Sequence, residues 1–276
     1  MELVDYIDAI RAARRRLSGQ DVASGSTAAY DREVAKNHTG SYLPMDRVLG
    51  LADLWTLIAA DHLQSIATLV RSGTYAFGLF PLGRSVIEHS TATRWILDPN
   101  VTGYTRCARA ALAVDRSMEQ AVGVASKIAG KSSEGYRTKR AILRQHRATV
   151  AAEFPEGTDL QASPKTVGNE ALLGPTELVE HYAVQTGDDP RESIGVYSWF
   201  CCVANHPTAA AYEMYDDVAT VGFRPGHTPE FMRRVMPSIV APCISAVQAH
   251  ALYCGWDCDE IEGVAAKWSE VFRPMD

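Results

Sequence analysis

The chain has 276 residues, of which 46% are hydrophobic and 22% charged, and a formal net charge of −6 at pH 7. That length permits one large core or two smaller ones, and the composition is that of an ordinary globular protein. The acid excess speaks against a dedicated nucleic-acid binder, which concentrates Lys and Arg on phosphate, and no run approaches the roughly 18 uninterrupted apolar residues of a membrane span; neither a nucleic-acid nor a membrane partner is expected.

The opening "MELVDYIDAIRAARRR" places acids before arginines. A secretory signal has the reverse order followed by an apolar stretch, so a cytoplasmic location is expected. Six cysteines are too few for a disulfide scaffold in a chain of this length and read as reduced thiols.

Helical periodicity dominates and strand alternation is almost absent. An amphipathic helix is predicted over 2–18, with Leu3, Tyr6, Ile7, Ile10 and Leu17 near one face. Residues 20–44 are polar and glycine-containing and read as a loop or flap. A long helix follows from Asp46 to Ser72, carrying Leu54, Trp55, Ile58, His62, Ile66 and Leu69. The next helix, "GRSVIEHSTATRWILDP", stops at Asp98-Pro99-Asn100.

Residues 103–129 form an alanine-rich helix, and 133–152 a basic one with Arg137, Lys139, Arg140, Arg144, His146 and Arg147. From Glu153 to Pro175 the chain is loop-like, with three prolines and three glycines. A short helix then runs to Gln185, and "TGDDPRES" starts another near Pro190 that continues through "GVYSWFCCVANHP" and kinks or restarts at Pro207. "VGFRPGHTPEF" ends in a cap, with Thr228 at N-cap and Pro229 at N1. A helix over 229–254 is expected to bend at Pro237 and Pro242, and a last one covers 258–272. The predicted architecture is all-α, a bundle-like array of eight or nine helices in one domain, with 153–175 as the boundary if there are two lobes.

The helix over 83–99 holds Arg84, Glu88 and His89 among Val86, Ile87, Trp95, Ile96 and Leu97. At 100° per residue, Phe77, Phe80, Arg84, Ile87, Glu88, Thr91 and Trp95 share a stripe, and the opposite side is also mostly apolar, which marks a central helix. Arg84 and Glu88 lie one turn apart and can pair. Burying ions costs several kcal/mol each unless they are paired and hydrogen-bonded. Three readings follow: an internal salt bridge that fixes register, a polar pocket, or a stripe covered in a homodimer.

In the pocket reading Glu88 or His206 moves protons and Arg84 holds an anionic group. Tyr197, Ser198 and Asn205, which recur at helical spacing with Cys201 and His206, orient the ligand. His62 is a third-helix contributor, and Trp55, Phe77, Phe80 and Trp95 supply apolar walls. No cofactor is implied; the expected partner is a small molecule with an anionic group.

The segments "ADHLQSIATLV", "GRSVIEHSTATRWILDP" and "VYSWFCCVANHPT" resemble a set of uncharacterised, mostly actinobacterial helical proteins. That resemblance spans about half the chain and places the set's polar signature on His62, Arg84, Glu88, Trp95, Ser198 and His206. Arg84 and His89 also match the Arg-x(4)-His spacing of HEPN-type helical ribonucleases, with Ser85 where that family has a larger polar residue. The resemblance implies a metal-independent ribonuclease of toxin or phage-defence type; the feature of this chain in its favour is the basic helix over 137–147, which could hold RNA phosphates.

His250, Cys254 and Cys258 are spaced four and four, but a structural zinc site needs a fourth ligand and Gly255 interrupts the helix, so no metal is expected. Asn205, Ala209 and Glu213 lack the middle hydroxyl of a terpene-cyclase magnesium triad, and Pro207 breaks their spacing. No phosphate loop, dinucleotide fingerprint, Gly-x-Ser-x-Gly elbow or HExxH is present.

Overall fold

The computed structural model describes residues 3–39, 41, 43–72, 78–205 and 229–271. Among them are ten α-helices: α1 (Leu3–Leu17), α2 (Thr27–Thr39), α3 (Leu43–Ser72), α4 (Leu79–Ile96), α5 (Gly103–Ala129), α6 (Glu134–Glu153), α7 (Pro175–Thr186), α8 (Pro190–Asn205), α9 (Pro229–Cys254) and α10 (Asp259–Val271). The only sheet among these residues is an antiparallel hairpin, β1 (Thr166–Val167) with β2 (Glu170–Ala171). The all-α class is thus as the periodicity predicts, with ten helices rather than eight or nine.

The extra helix is α2, inside the stretch expected to be a loop or flap. Its buried positions are Ala28, Asp31 and Ala35. Two alanines and an aspartate leave almost no hydrophobic signature, although their spacing is helical. α3 also begins three residues early, at Leu43, because Pro44 fits a first helical turn. The hairpin turns at Gly168 and Asn169, both at positive φ (55° and 67°), as a two-residue hairpin turn of this hand requires.

The chain groups into two compact units. The first comprises residues 1–27, 52–97 and 174–276, and the second residues 28–51 and 98–173.

In the first unit α4 is the central helix, packed against α7, α8 and α9. Leu79, Phe80, Val86, Ile87, Trp95 and Ile96 are buried around most of its circumference. Gly83 permits the closest approach: a Cβ there would lie 2.6 Å from Phe200 of α8 and 2.8 Å from Ile239 of α9. α1 contributes Tyr6, Ile7 and Ile10 to the same core, and its Arg14 donates to Thr56 Oγ1 at 3.0 Å and Asp53 Oδ1 at 2.8 Å. Within α9, Val235–Cys254 is long and apolar enough to cross a membrane by length and composition; here 67% of that window is buried inside the protein. Pro237 and Pro242 lie inside this helix.

The second unit is held by buried ions. Arg106 pairs with Asp31 at 2.6 Å and donates to the Asp98 carbonyl at 2.8 Å. Arg109 reaches Asp98 at 3.6 Å and Glu170 at 2.9 Å. Asp115 of α5, fully buried, accepts from Arg147 of α6 at 2.6 Å and from Lys165 at 2.8 Å. Burial alone would raise this carboxyl; the hydrogen bonds from Arg147 and Lys165 carry it below its ordinary value. Thr102 and Ser133 cap α5 and α6 by accepting from the Thr105 and Tyr136 backbone N–H groups.

Candidate functional site

α4 and α8 bring a polar cluster together in the first unit. Arg84 Nε donates to Glu88 Oε1 at 2.7 Å, one turn along the same helix. From α8, the Tyr197 hydroxyl donates to that same oxygen at 2.6 Å. Arg84 Nη1 also reaches Asn205 Oδ1 at 3.4 Å. Tyr197, Cys201 and Asn205 are four residues apart, so one stripe of α8 follows the Arg84–Glu88 turn. Among the described residues no hydrogen bond reaches Glu88 Oε2.

The pair is not sealed: the Arg84 side chain is 31% exposed and that of Glu88 28%. The hydrogen bond to Glu88 raises the Arg84 pKa against the opposing effect of burial. Burial raises Tyr197 above an ordinary tyrosine, helped by its hydrogen bonds to Cys201 and Glu88. The phenol is therefore a firm proton donor to the carboxylate at neutral pH.

A second polar chain lies on the adjoining side of α4. His62 Nδ1 of α3 is 2.7 Å from Ser85 Oγ, and His89 Nδ1 is 2.7 Å from the Ser85 carbonyl and 3.2 Å from Ser85 Oγ. The two imidazoles stand edge to face at 84°, with centroids 6.4 Å apart. A carbonyl only accepts, so in neutral His89 the hydrogen sits on Nδ1 and Nε2 is the bare nitrogen. With His89 Nδ1–H on the Ser85 oxygens, the Ser85 hydroxyl hydrogen is free to point at His62 Nδ1, the arrangement in which the His62 hydrogen lies on Nε2. Burial and the neighbouring His89 both lower His62, against Asp61, and favour its neutral form. Ser85 is not set up as an acyl acceptor: it sits mid-helix, where the surrounding amides are used in α4 itself and offer no oxyanion hole.

The remaining predicted residues separate. Ser198 is exposed on α8, one position off the stripe that carries Tyr197 and Asn205. Phe80 is fully buried between Trp199 and Phe200, with centroids at 5.1 and 5.7 Å, and Trp95 is buried. Trp55 is half-buried on α3. His206 and Phe77 lie outside the described residues, as do Pro207, Thr228, Ala209 and Glu213. Ser85 is not among the site residues that spacing selects; it is marked only by standing four residues before His89 on the side facing α3.

His250 and Cys254 close α9 and Cys258 lies beyond Gly255, whose φ of 70° ends the helix. Burial pushes His250 down to about 4 and Cys254 up to about 12. Among the described residues no group of three or more His, Cys, Asp or Glu is placed to hold a metal ion. No family model, curated protein or solved structure matches the chain.

Proposed function

We propose that the accessible side of α4 is a small-molecule site that carries out acid–base chemistry on a ligand with an anionic group. The observation that carries this reading is the Glu88 carboxylate: one oxygen takes both Arg84 and Tyr197, while the side chain stays 28% exposed. Two donors on Oε1 fix the carboxylate and leave Oε2 to exchange a proton with a ligand. Arg84 spends its Nε on Glu88 and reaches Asn205 with Nη1, which leaves Nη2 for an anion. His62, Ser85 and His89 supply a second proton path one helix position away.

The test is binding of small carboxylates and phosphate monoesters followed by saturation-transfer NMR, with Arg84→Met and Glu88→Gln beside the parent protein. The reading expects at least one class to bind the parent and to lose about tenfold or more in Arg84→Met, with Glu88→Gln abolishing turnover of the bound class. Binding that ignores both substitutions would sink it.

A second reading, a metal-independent ribonuclease using Arg84 and His89, is favoured by one detail. His89 is anchored through Nδ1 on the Ser85 carbonyl, which leaves Nε2 as the base such a cleavage needs. Against it, Arg84 is already engaged by Glu88. A fluorogenic RNA in excess EDTA separates the two: cleavage lost in His89→Ala supports the ribonuclease, and intact RNA supports the small-molecule site.

A further inference from the structure

The second unit carries a surface that the α4 site does not use. Its arginines are mostly spent internally: Arg47 pairs with Glu153, Arg106 with Asp31, Arg109 with Asp98 and Glu170, and Arg147 with Asp115. The distal part of the α5–α6 hairpin is the exception. Residues 127–144 hold six cations and one acid, Glu134, in a chain whose overall charge is −6. Lys127, Lys131, Arg137, Lys139, Arg140 and Arg144 are all exposed, and none makes an ion pair or side-chain hydrogen bond among the described residues.

The arginines are ordered. Arg137, Arg140 and Arg144 follow at three and four residues, which keeps them within about 60° of arc and spreads them over about 10 Å of α6. The opposite face of that helix is already used: Leu143, His146 and Val150 are buried, and His146 Nε2 meets the Ala111 carbonyl of α5 at 3.4 Å. A helix that lies in a membrane surface needs its apolar face for the acyl boundary. On α6, Leu143, His146 and Val150 go to α5. The exposed Ile142 (48%) stands about 140–160° around the helix from the three arginines, and the exposed Ile128 (81%) and Val124 (54%) belong to α5. The arginine side of α6 thus presents a row of guanidinium groups without an apolar face of its own. Such a row suits a chain of regularly spaced phosphates, which guanidinium binds in bidentate fashion.

We infer that the exposed basic edge of the α5–α6 hairpin, with Arg137, Arg140 and Arg144 at its centre, is a docking surface for the phosphate backbone of a nucleic acid. The recognition is electrostatic and independent of sequence, since no aromatic side chain on this row offers a base a stacking platform. This differs from the expectation drawn from net charge, because the surplus acids lie elsewhere in the chain.

The test is fluorescence anisotropy of a fluorescein-labelled 20-nucleotide oligo(U) RNA with the full chain between 50 and 200 mM salt. Micromolar binding is expected, weakening by about two and a half orders of magnitude over that range if six cations are engaged on a single strand. Arg137→Glu/Arg140→Glu/Arg144→Glu should weaken binding at least tenfold and reduce the logarithmic salt slope by about 2. Arg191→Glu, an exposed cation of the first unit, should leave it unchanged. Arg140→Gln/Arg144→Gln gives the same answer with a smaller perturbation, and far-ultraviolet circular dichroism confirms the helices in each. Absence of RNA binding by the parent protein overturns the inference, as does equal binding by the triple variant. Binding to vesicles with 30% phosphatidylserine but not to RNA overturns it in favour of a membrane surface.

Discussion

The Tyr197 hydroxyl of α8 and the Glu88 carboxylate of α4 meet at 2.6 Å, on the oxygen that also takes Arg84 Nε. Two helices far apart in sequence are thereby joined through a carboxylate that solvent still reaches. The tyrosine itself is buried, so its removal is felt in two ways.

Tyr197→Phe deletes one hydrogen bond to a charged acceptor without opening a cavity. Hydrogen bonds to charged groups contribute about 1.5–3 kcal/mol, and the partial exposure of Glu88 brings the loss below that range, to about 1 kcal/mol. The pH dependence has a definite sign. A tyrosine raised on folding gives full stability below the ordinary tyrosine pKa and loses it as pH climbs toward the folded value, because the unfolded chain releases its proton first. Urea unfolding above pH 10 should therefore show a steeper alkaline loss in the parent than in Tyr197→Phe.

A Ser85 hydroxyl that donates to His62 predicts two tautomers. At pH 7.5, long-range proton–nitrogen correlation should find His62 protonated at Nε2 and His89 at Nδ1. Ser85→Ala removes the donor to His62 Nδ1 and should redistribute the His62 tautomer while leaving His89, held by a backbone carbonyl, as it was. Unchanged His62 signals would contradict that donation.

His250 makes the first unit acid-sensitive. Burial, with Arg14 adding and Asp53 opposing, depresses it from 6.5 to about 4. A depressed histidine gives stability that is complete above pH 6.5 and is lost as pH falls toward 4, at about 1.4 kcal/mol per unit, or about 3 kcal/mol in all. His250→Gln should flatten that part of the profile. His62 and His146 are lowered as well, so a shallower slope of the same sign should remain.

The second unit depends on the buried pair of Asp31 and Arg106. A Cβ on Gly103 would lie 2.6 Å from the Asp31 carboxylate, so Gly103→Ala must displace that carboxylate from its guanidinium. We expect a loss of about 2–4 kcal/mol in chemical unfolding for Gly103→Ala, and about 3–5 for Asp31→Ala, which strands the Arg106 charge. Arg32→Ala, at a pair of 44% and 48% exposure, should change stability by less than about 1 kcal/mol.

What the sequence made legible follows from periodicity. Apolar residues around most of α4 identify it as central, and the four-residue recurrence of Tyr197, Cys201 and Asn205 lays one stripe of α8 along Arg84 and Glu88. What stayed hidden lacks a periodic apolar signal. α2 buries alanines and an aspartate, and the partner of Asp31 stands 75 positions away at Arg106. The cations and histidine of the basic helix divide: His146 is buried and Arg147 is consumed by Asp115, while Arg137, Arg140 and Arg144 have no ion pair among the described residues. Ser85 went unselected because a serine in a helix is ordinary until two imidazoles are found against it.

The most direct test of the α4 site is the unfolding free energy of Glu88→Gln at pH 7, from urea titration with the slope checked against the parent. Glutamine keeps the shape and removes the charge. A partly exposed pair held ready for a ligand adds little to stability, so the expected loss is below about 1 kcal/mol. A loss of about 3 kcal/mol or more is the behaviour of a broken internal ion pair, and would make Arg84, Glu88 and Tyr197 a staple of the fold rather than a site.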